Sequence, residues 1–295
     1  MKTRVVFIGS VNFSAAILKN IIHTEMDIVA IITKQQSKFN SDFYDLSSIA
    51  KQNKIPYKYV KNINDADNIS WIKNFSPDII FCFGFSQIIS SKILEIPSMG
   101  VLGYHPAELP KNRGRHPIIW ALVLGLKRTA STFFFMDEGA DTGDILSQYK
   151  INISKNDNAE ILYNRIIEVA MKQVDEFVPY LISRNYTREK QDHLQASSWR
   201  KRVEADGIID WRMSSMAIYN LVRGLTKPYI GAHFYFEGEK VRVWDTEIVD
   251  QGENNIEPGK VISISSKGVV VKVGEGAIRL KETEPELKIQ QGIYL

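Results

Sequence analysis

Apolar positions along the chain follow two periods. RVVFIGS (4–10), DIVAIIT (27–33), YKYV (57–60) and PDIIFCFGF (77–85) are short runs of β-branched and aromatic residues. Such runs, bounded by glycine or polar residues, predict strands. Between them the spacing turns helical. Asn12 opens a segment with Ala15, Ile17, Leu18, Ile21 and Ile22 on one face, DLSSIAKQNK (45–54) is a short helix with Asp45 as N-cap, and residues 65–75 form a third. Strands alternating with helices predict a parallel, doubly wound α/β sheet, with PDIIFCFGF as a central strand.

The second half changes character. IIWALVLGL (118–126) has a helical apolar face, TASTFFFM (129–136) is an aromatic strand, and MDEGADTGDI (136–145) is a turn with four acids and two glycines. Residues 158–183 form the longest amphipathic helix, capped by the Asp157/Asn158 region. Composition then becomes polar and basic, which predicts a linker over 185–204 between domains at 1–184 and 205–295. The last domain starts with one helix (SSMAIYNLVRGL). The short strands HFYFEG, EKVRVWDTEIV, GKVISIS, GVVVKVG and AIRLKET follow, separated by Gly turns, and predict a small β-barrel.

Composition narrows the function classes. With 44% hydrophobic and 24% charged residues in a chain of 295, the profile is that of a globular protein large enough for two cores. One cysteine, Cys82, excludes a disulfide framework and a Cys-based zinc site, and its apolar setting makes it a buried hydrophobe. The apolar run in MKTRVVFIGS is too short for an export signal, and no stretch approaches the ~18 apolar residues of a membrane span. A cytoplasmic protein with no membrane partner is therefore expected. The net charge of +3 is spread along the chain, without the basic cluster of a dedicated nucleic-acid binder.

Chemistry concentrates in VLGYHPAELPKNRGRH (101–116). His105 follows an apolar strand-like stretch and precedes Pro106, which biases it to an extended backbone. Alone it reads first as a histidine satisfying a backbone carbonyl. A second feature changes the balance: Asp141 lies in a Gly-flanked turn after the TASTFFFM strand. Parallel neighbouring strands would carry both loops to one sheet edge, where an Asp can orient and charge a His that works as a general base. In open sheets, ligands sit at that carboxyl edge, where Gly9-Ser10 and Gly84-Phe85 also fall. The G-x-G-x-x-G spacing of a dinucleotide site is missing. Asp137, Glu138, Asp141 and Asp144 have no partner cluster at metal-ligand spacing, so no metal is expected. Arg113 and Arg115 suit a phosphate or carboxylate, or a solvated loop.

HPAELPKNRGRHPIIWAL followed by FFMDEGADTGDI resembles the signature of 10-formyltetrahydrofolate-dependent formyltransferases, through the L-P-x-x-R-G-x-x-P core (Leu109 to Pro117) and the His-to-Asp separation. The likeness extends to PDIIFCFGFSQIIS, DGIIDW (206–211) and YNLVRGLTKPYIGAHFYFEG (219–238), and so covers most of the chain. It implies a Rossmann-like formyltransferase domain with a mostly parallel sheet, then an OB-like β-barrel, and often a homodimer. It implies N10-formyltetrahydrofolate as co-substrate, attack of an amine on the formyl carbon, and a tetrahedral oxyanion that collapses to an N-formyl product. His105 would take the amine proton or stabilise the oxyanion, and Asp141 would set the charge of His105. The folate would lie along Phe83, Gly84, Phe85, Ser86, Ile88, Asp137 and Gly139, and the acceptor near Ser10, Asn12, Gly103, Arg113 and Gly114.

The chain departs from that pattern at Gly103, where the family usually carries an Asn that donates to the formyl oxygen. Loss of one such donor typically costs ~10²–10³ in rate. A backbone N–H near the glycine, protonated His105, or the hydroxyls of Ser131 and Thr132 are the candidate substitutes. For the acceptor, the family's tRNA-formylating branch grips tRNA with a basic insertion after the second strand. Here that region (34–54) offers only Lys34 and Lys38 before residue 50, a poor footprint for phosphate neutralisation. KFNSDFYDLSSIAKQNKIPYKYVK looks instead like the branch that formylates UDP- or dTDP-linked 4-amino-4,6-dideoxysugars for surface glycans. Methionyl-tRNA formylation and a non-catalytic folate- or sugar-binding relative are the alternatives.

Overall fold

A computed structural model describes residues 2–37, 41–250 and 255–295. The chain divides into two compact units, neither of them continuous in sequence. One comprises Met1–Pro117, Thr129–Ile151 and Asn164–Trp199; the other comprises Ile118–Arg128, Asn152–Tyr163 and Arg200–Leu295.

In chain order the first unit contains β1 (Arg4–Ile8), α1 (Asn12–Ile21), β2 (Asp27–Thr33), α2 (Ser47–Gln52), β3 (Tyr57–Tyr59), α3 (Ala66–Asn74), β4 (Ile79–Cys82), α4 (Ser91–Leu94), β5 (Val101–His105) and β6 (Arg113–Gly114). After α5 (Pro117–Val123), which falls almost wholly in the second unit, come β7 (Arg128–Phe135), β8 (Ile145–Asn152), α6 (Ala159–Ile182), whose first turn also belongs to the second unit, and β9 (Ser198–Trp199). Seven strands form one sheet in the order β3-β2-β1-β4-β5-β7-β8. β1, β2, β3, β4 and β5 pair in parallel, so the sheet is mostly parallel and its strand order reverses between β1 and β4.

The two faces of this sheet differ because side chains alternate along each strand. Val6, Ile8, Ala30, Ile32, Ile80, Cys82 and Val101 form an aliphatic face packed on Ile63, Ile69, Ile72 and Ile93. The opposite face is aromatic: Phe83 lies 5.7 Å from Phe7, 5.3 Å from Phe81 and 5.3 Å from Phe133 between ring centres. Register puts Val101 beside Ile80 and Gly103 beside Cys82, so Gly103 and His105 belong to the aliphatic face and Tyr104 to the aromatic one. Burial pushes the Cys82 thiol up to about 12, leaving an inert apolar group.

The predicted strands and helices are present within about three residues at their ends, and Asp45 accepts from the Ser47 N–H (2.8 Å) at the start of α2. β8 was not predicted. It is the polar edge strand ILSQYKIN, largely solvent-facing, so its composition carries no strand signal.

In the second unit α7 (Ser215–Leu225) precedes β10 (Ala232–Phe236), β11 (Glu239–Val249), β12 (Val261–Ser265), β13 (Gly268–Lys272) and β14 (Ala277–Glu284). The strands pair antiparallel in the order β10-β11-β14-β13-β12 around Trp211, Ile218, Leu221, Phe234, Val243, Val271 and Ile278. This is the expected β-rich unit, and no ladder joins β10 to β12 among the described residues. Buried Arg223 ties the unit's pieces together: its Nη1 donates to the carbonyls of Ser154 (3.1 Å) and Asp157 (2.8 Å). Among the described residues no helix is long and apolar enough to cross a membrane.

DGIIDW opens with a charge lock. Asp206 accepts from both terminal nitrogens of Arg200, Nη1 at 2.7 Å, and from the Val203 N–H at 2.7 Å. These bonds, the Arg200 pair first, hold its carboxyl far below the ordinary range. A carboxyl depressed on folding contributes stability that is present above the unfolded value of about 4 and is lost as pH falls below it. Asp206→Asn is therefore expected to lower the melting temperature at neutral pH and to flatten its decline below about pH 4. Melting curves that keep the wild-type acid slope would contradict this.

Candidate active site

β5 ends at His105, which is 4% exposed. Its Nε2 lies 2.7 Å from the carbonyl oxygen of Asn112. A carbonyl only accepts, so Nε2 carries the hydrogen and, in the neutral ring, Nδ1 carries the lone pair. Nδ1 faces Asp141 Oδ2 at 3.6 Å. That gap exceeds a hydrogen bond but suits an ion pair once Nδ1 gains a proton.

The route that brings Asp141 there differs from the expectation. β7 runs antiparallel to β5, with His105 opposite Thr132 and Leu102 opposite Phe135. The chain thus leaves β7 at the amino end of β5, where the Met136 N–H donates to the Val101 carbonyl (2.7 Å). The 137–144 loop has to return over the aliphatic face to reach His105. Parallel neighbours do not supply the meeting; a folded-back loop does.

Asp141 is held from two sides. Its Oδ2 accepts from the Gly114 N–H (2.9 Å), and its carbonyl accepts from Gln191 Nε2 (3.0 Å). Gly114 has φ +103°, and a Cβ there would stand 2.3 Å from the Trp199 carbonyl oxygen, because β6 pairs with β9. Only glycine fits that approach. Gly114, expected beside the acceptor, here serves the carboxylate.

Arg113, expected near the acceptor, lies beside Gln191. Its guanidinium is buried and bonds Gln191 Oε1 through Nε (3.2 Å) and Nη2 (2.6 Å), with Nη2 also on His193 Nδ1 (3.1 Å). Through these bonds it braces the loop. The stretch read as a linker supplies these partners, and Glu189 exchanges two backbone bonds with Ile145 (2.8 Å each). Gln191, His193 and the Asn112 carbonyl escaped the sequence reading, since a lone amide in a polar stretch and a main-chain acceptor leave no motif.

Of the residues expected to meet the folate, Phe83 is fully buried in the aromatic core, and Gly84 is tightly packed: a Cβ there would lie 2.2 Å from Val11 Cγ2. Ser14 Oγ donates to the Phe83 carbonyl (2.5 Å), locking the start of α1 onto the end of β4. Beyond it, Gln87 accepts from the Ile63 N–H (2.9 Å) and Asn64 donates to the Ile88 carbonyl (2.9 Å). This braced turn presents half-buried Phe85 with exposed Ser86 and Ile88, the last 83% exposed. Asp137 accepts from the Gly139 N–H (3.0 Å) and the Thr142 hydroxyl (2.5 Å), shaping its own turn. Ser10 is buried, its hydroxyl 3.4 Å from the Gly84 carbonyl, while Asn12 is exposed in a shallow groove with Lys19, His23, Tyr44 and Met171. The described residues hold no cluster of three or more His, Cys, Asp or Glu at metal-binding distance.

At Gly103 the missing amide is replaced by packing. A Cβ there would lie 2.8 Å from Met136 Cγ and 3.1 Å from Phe134 Cζ, so the Met136 thioether fills the space. Two of the proposed substitutes are already engaged: Thr132 Oγ1 donates to the Ala107 carbonyl (2.7 Å) and Ser131 Oγ bonds Tyr104 Oη (2.9 Å) on the aromatic face. His105 and main-chain N–H groups remain.

Residues 2–177 match the family model described as formyl transferase, and residues 202–293 match its C-terminal domain. The chain belongs to the formyl transferase family. A methionyl-tRNA formyltransferase from Caldanaerobacter subterraneus is 30% identical over 98% of this chain and 94% of that protein. The bifunctional polymyxin resistance protein ArnA from Wigglesworthia glossinidia brevipalpis is 34% identical over 84% of this formyltransferase, which spans only 38% of ArnA. Among solved structures, WlaRD, a sugar 3N-formyl transferase crystallised with dTDP and 5-N-formyl-THF, shares the fold with a TM-score of 0.73 at 18% identity, covering 97% of this chain and 100% of that one. The Helicobacter canadensis N-formyltransferase, solved with folinic acid and dTDP-3-aminofucose, gives 0.71 at 19% identity, covering 95% and 99%.

Two substitutions test this geometry. Gly114→Ala is expected to lower stability by about 1–3 kcal/mol through the strained backbone and formyl transfer by about 100-fold through the displaced Asp141; a variant with wild-type turnover would refute the hold on Asp141. Gly103→Asn is expected to destabilise by about 1–3 kcal/mol through overpacking against Met136. Adding Met136→Ala should recover most of that loss in denaturant titrations.

Proposed function

We propose that this formyltransferase moves a formyl group from N10-formyltetrahydrofolate to the amine of a nucleotide-linked amino-deoxysugar, of the UDP- or dTDP-4-amino-4,6-dideoxysugar type. The observation that carries the chemistry is the His105–Asp141 pair with its tautomer set by the Asn112 carbonyl. When bound, the folate supplies an activated one-carbon unit on a nitrogen leaving group. Nδ1 of His105 would take the proton released as the amine bonds to the formyl carbon, and would return it to the folate nitrogen as the bond between that nitrogen and the formyl carbon breaks. Asp141, 3.6 Å away, stabilises the resulting imidazolium, and that cation faces the negative charge developing on the formyl oxygen. The braced turn at 84–90, with the exposed Ile88, fits a flat heterocycle that needs backbone partners and apolar cover.

The sugar reading rests on the segment after β2. Lys34 is stacked over the Phe85 ring at 4.9 Å, and burial lowers its pKa, so it serves the folate-side turn rather than a phosphate backbone. Lys38 lies outside the described residues. The shared fold with enzymes solved with dTDP and dTDP-3-aminofucose supports the same reading. A cytoplasmic enzyme that prepares precursors for surface glycans follows from it. Methionyl-tRNA is the second reading, favoured by the full-length likeness to methionyl-tRNA formyltransferases.

The deciding assay offers 10-formyltetrahydrofolate with a panel of UDP- and dTDP-linked amino sugars and, separately, with methionyl-tRNA, and follows tetrahydrofolate release. Turnover is expected on a nucleotide sugar and is expected to fall at least about 100-fold in His105→Ala. Turnover on tRNA alone would overturn the sugar assignment, and a fully active His105→Ala would overturn the mechanism.

A further inference from the structure

Gln191 is 6% exposed and lies in the polar stretch that joins α6 to the second unit. Its amide is fully engaged. Nε2 donates to the carbonyls of Asp141 (3.0 Å) and Gly143 (2.7 Å), while Oε1 accepts from Nε (3.2 Å) and Nη2 (2.6 Å) of Arg113. The orientation of the amide follows from its neighbours. Two carbonyls can only accept and a guanidinium can only donate, so the nitrogen faces the loop and the oxygen faces Arg113.

The loop it holds is strained. Asp141 sits at φ +58°, a left-handed conformation that costs a non-glycine residue free energy unless its surroundings impose it. Gln191 bonds the main chain of Asp141 itself and of Gly143, two residues on. The Gly114 N–H fixes the Asp141 side chain, and Gly114 is carried by β6, which pairs with β9 only a few residues after Gln191. One short segment thus grips Asp141 by its main chain and positions the group that grips its carboxylate.

We infer that Gln191 is a positioning residue for the formyl-transfer reaction. It fixes the backbone of Asp141 so that the carboxylate faces Nδ1 of His105. The inference rests on the assignment of His105 and Asp141 as the reacting pair.

Gln191→Glu separates this role from simple bracing. Glutamate keeps an acceptor for Arg113, and indeed strengthens that contact, but turns an acceptor toward two carbonyls. A positioning role predicts a kcat lower by about 10- to 100-fold with KM for both substrates nearly unchanged. Asp141→Asn is the partner in a double-mutant cycle: with Asp141 gone, Gln191→Glu should cost little more. Gln191→Ala, checked for cooperative melting, should show the same kcat loss without a buried charge.

A readout independent of turnover is the ring signals of His105 in 15N-histidine spectra. They are expected to move in Gln191→Glu in the same direction as in Asp141→Asn. Wild-type kcat in Gln191→Glu, losses that multiply with Asp141→Asn, or unmoved ring signals would each overturn the inference. Failure of the functional reading itself would show differently, as absence of formyl transfer by the wild-type enzyme on every amine.

Discussion

The site depends on one electrostatic approach: a carboxylate held 3.6 Å from a ring nitrogen at the end of the strand next to the sheet centre. At about 4 Å and an effective dielectric of about 20, opposite unit charges attract by about 4 kcal/mol before desolvation. That exceeds the net worth of an ordinary hydrogen bond, about 1 kcal/mol. It falls off with distance, so the chain must fix Asp141 against both backbone strain and loop motion. The Gly114 N–H, the Gln191 amide and the β6–β9 pairing do so.

The parallel sheet makes the rest of the cleft by close packing at its carboxyl edge. Ser14 bonds the Phe83 carbonyl, and Gly84 lets Val11 approach, so the loops after β1 and β4 are locked together at the point where strand order reverses. Both contacts hold the edges of the crevice in place while the turn at 84–90, pinned by Gln87 and Asn64, presents its surface outward.

Much of this was legible in the sequence. β1, β2 and β4 are buried on both faces and read as uninterrupted apolar runs, and α6 shows a long apolar stripe. The nearness of His105 and Asp141 was legible through the Gly-flanked turns around them. Strand direction was not, because an antiparallel β7 has the same local pattern as a parallel one, and so the path of the Asp141 loop was misjudged. β8 left no signal, since an edge strand facing solvent needs no apolar alternation. Arg113 shows a related limit: an arginine beside a glycine suits an anion, and only the fold reveals that its Nε and Nη2 bond a buried glutamine.

Gly103 brings these threads together. Val101, Gly103 and His105 share the aliphatic face of β5, and the space an amide would occupy beside His105 holds the Met136 thioether. The exchange removes a donor and adds apolar surface. A drier wall weakens screening, so each charge that remains acts more strongly on its neighbours. Thr132 and Ser131 face other partners, so on the mechanism proposed above His105, once it takes the amine proton, and main-chain N–H groups would meet the developing negative charge. The loss of the amide thus places more of the electrostatic task on His105, and so on whatever holds Asp141 beside it.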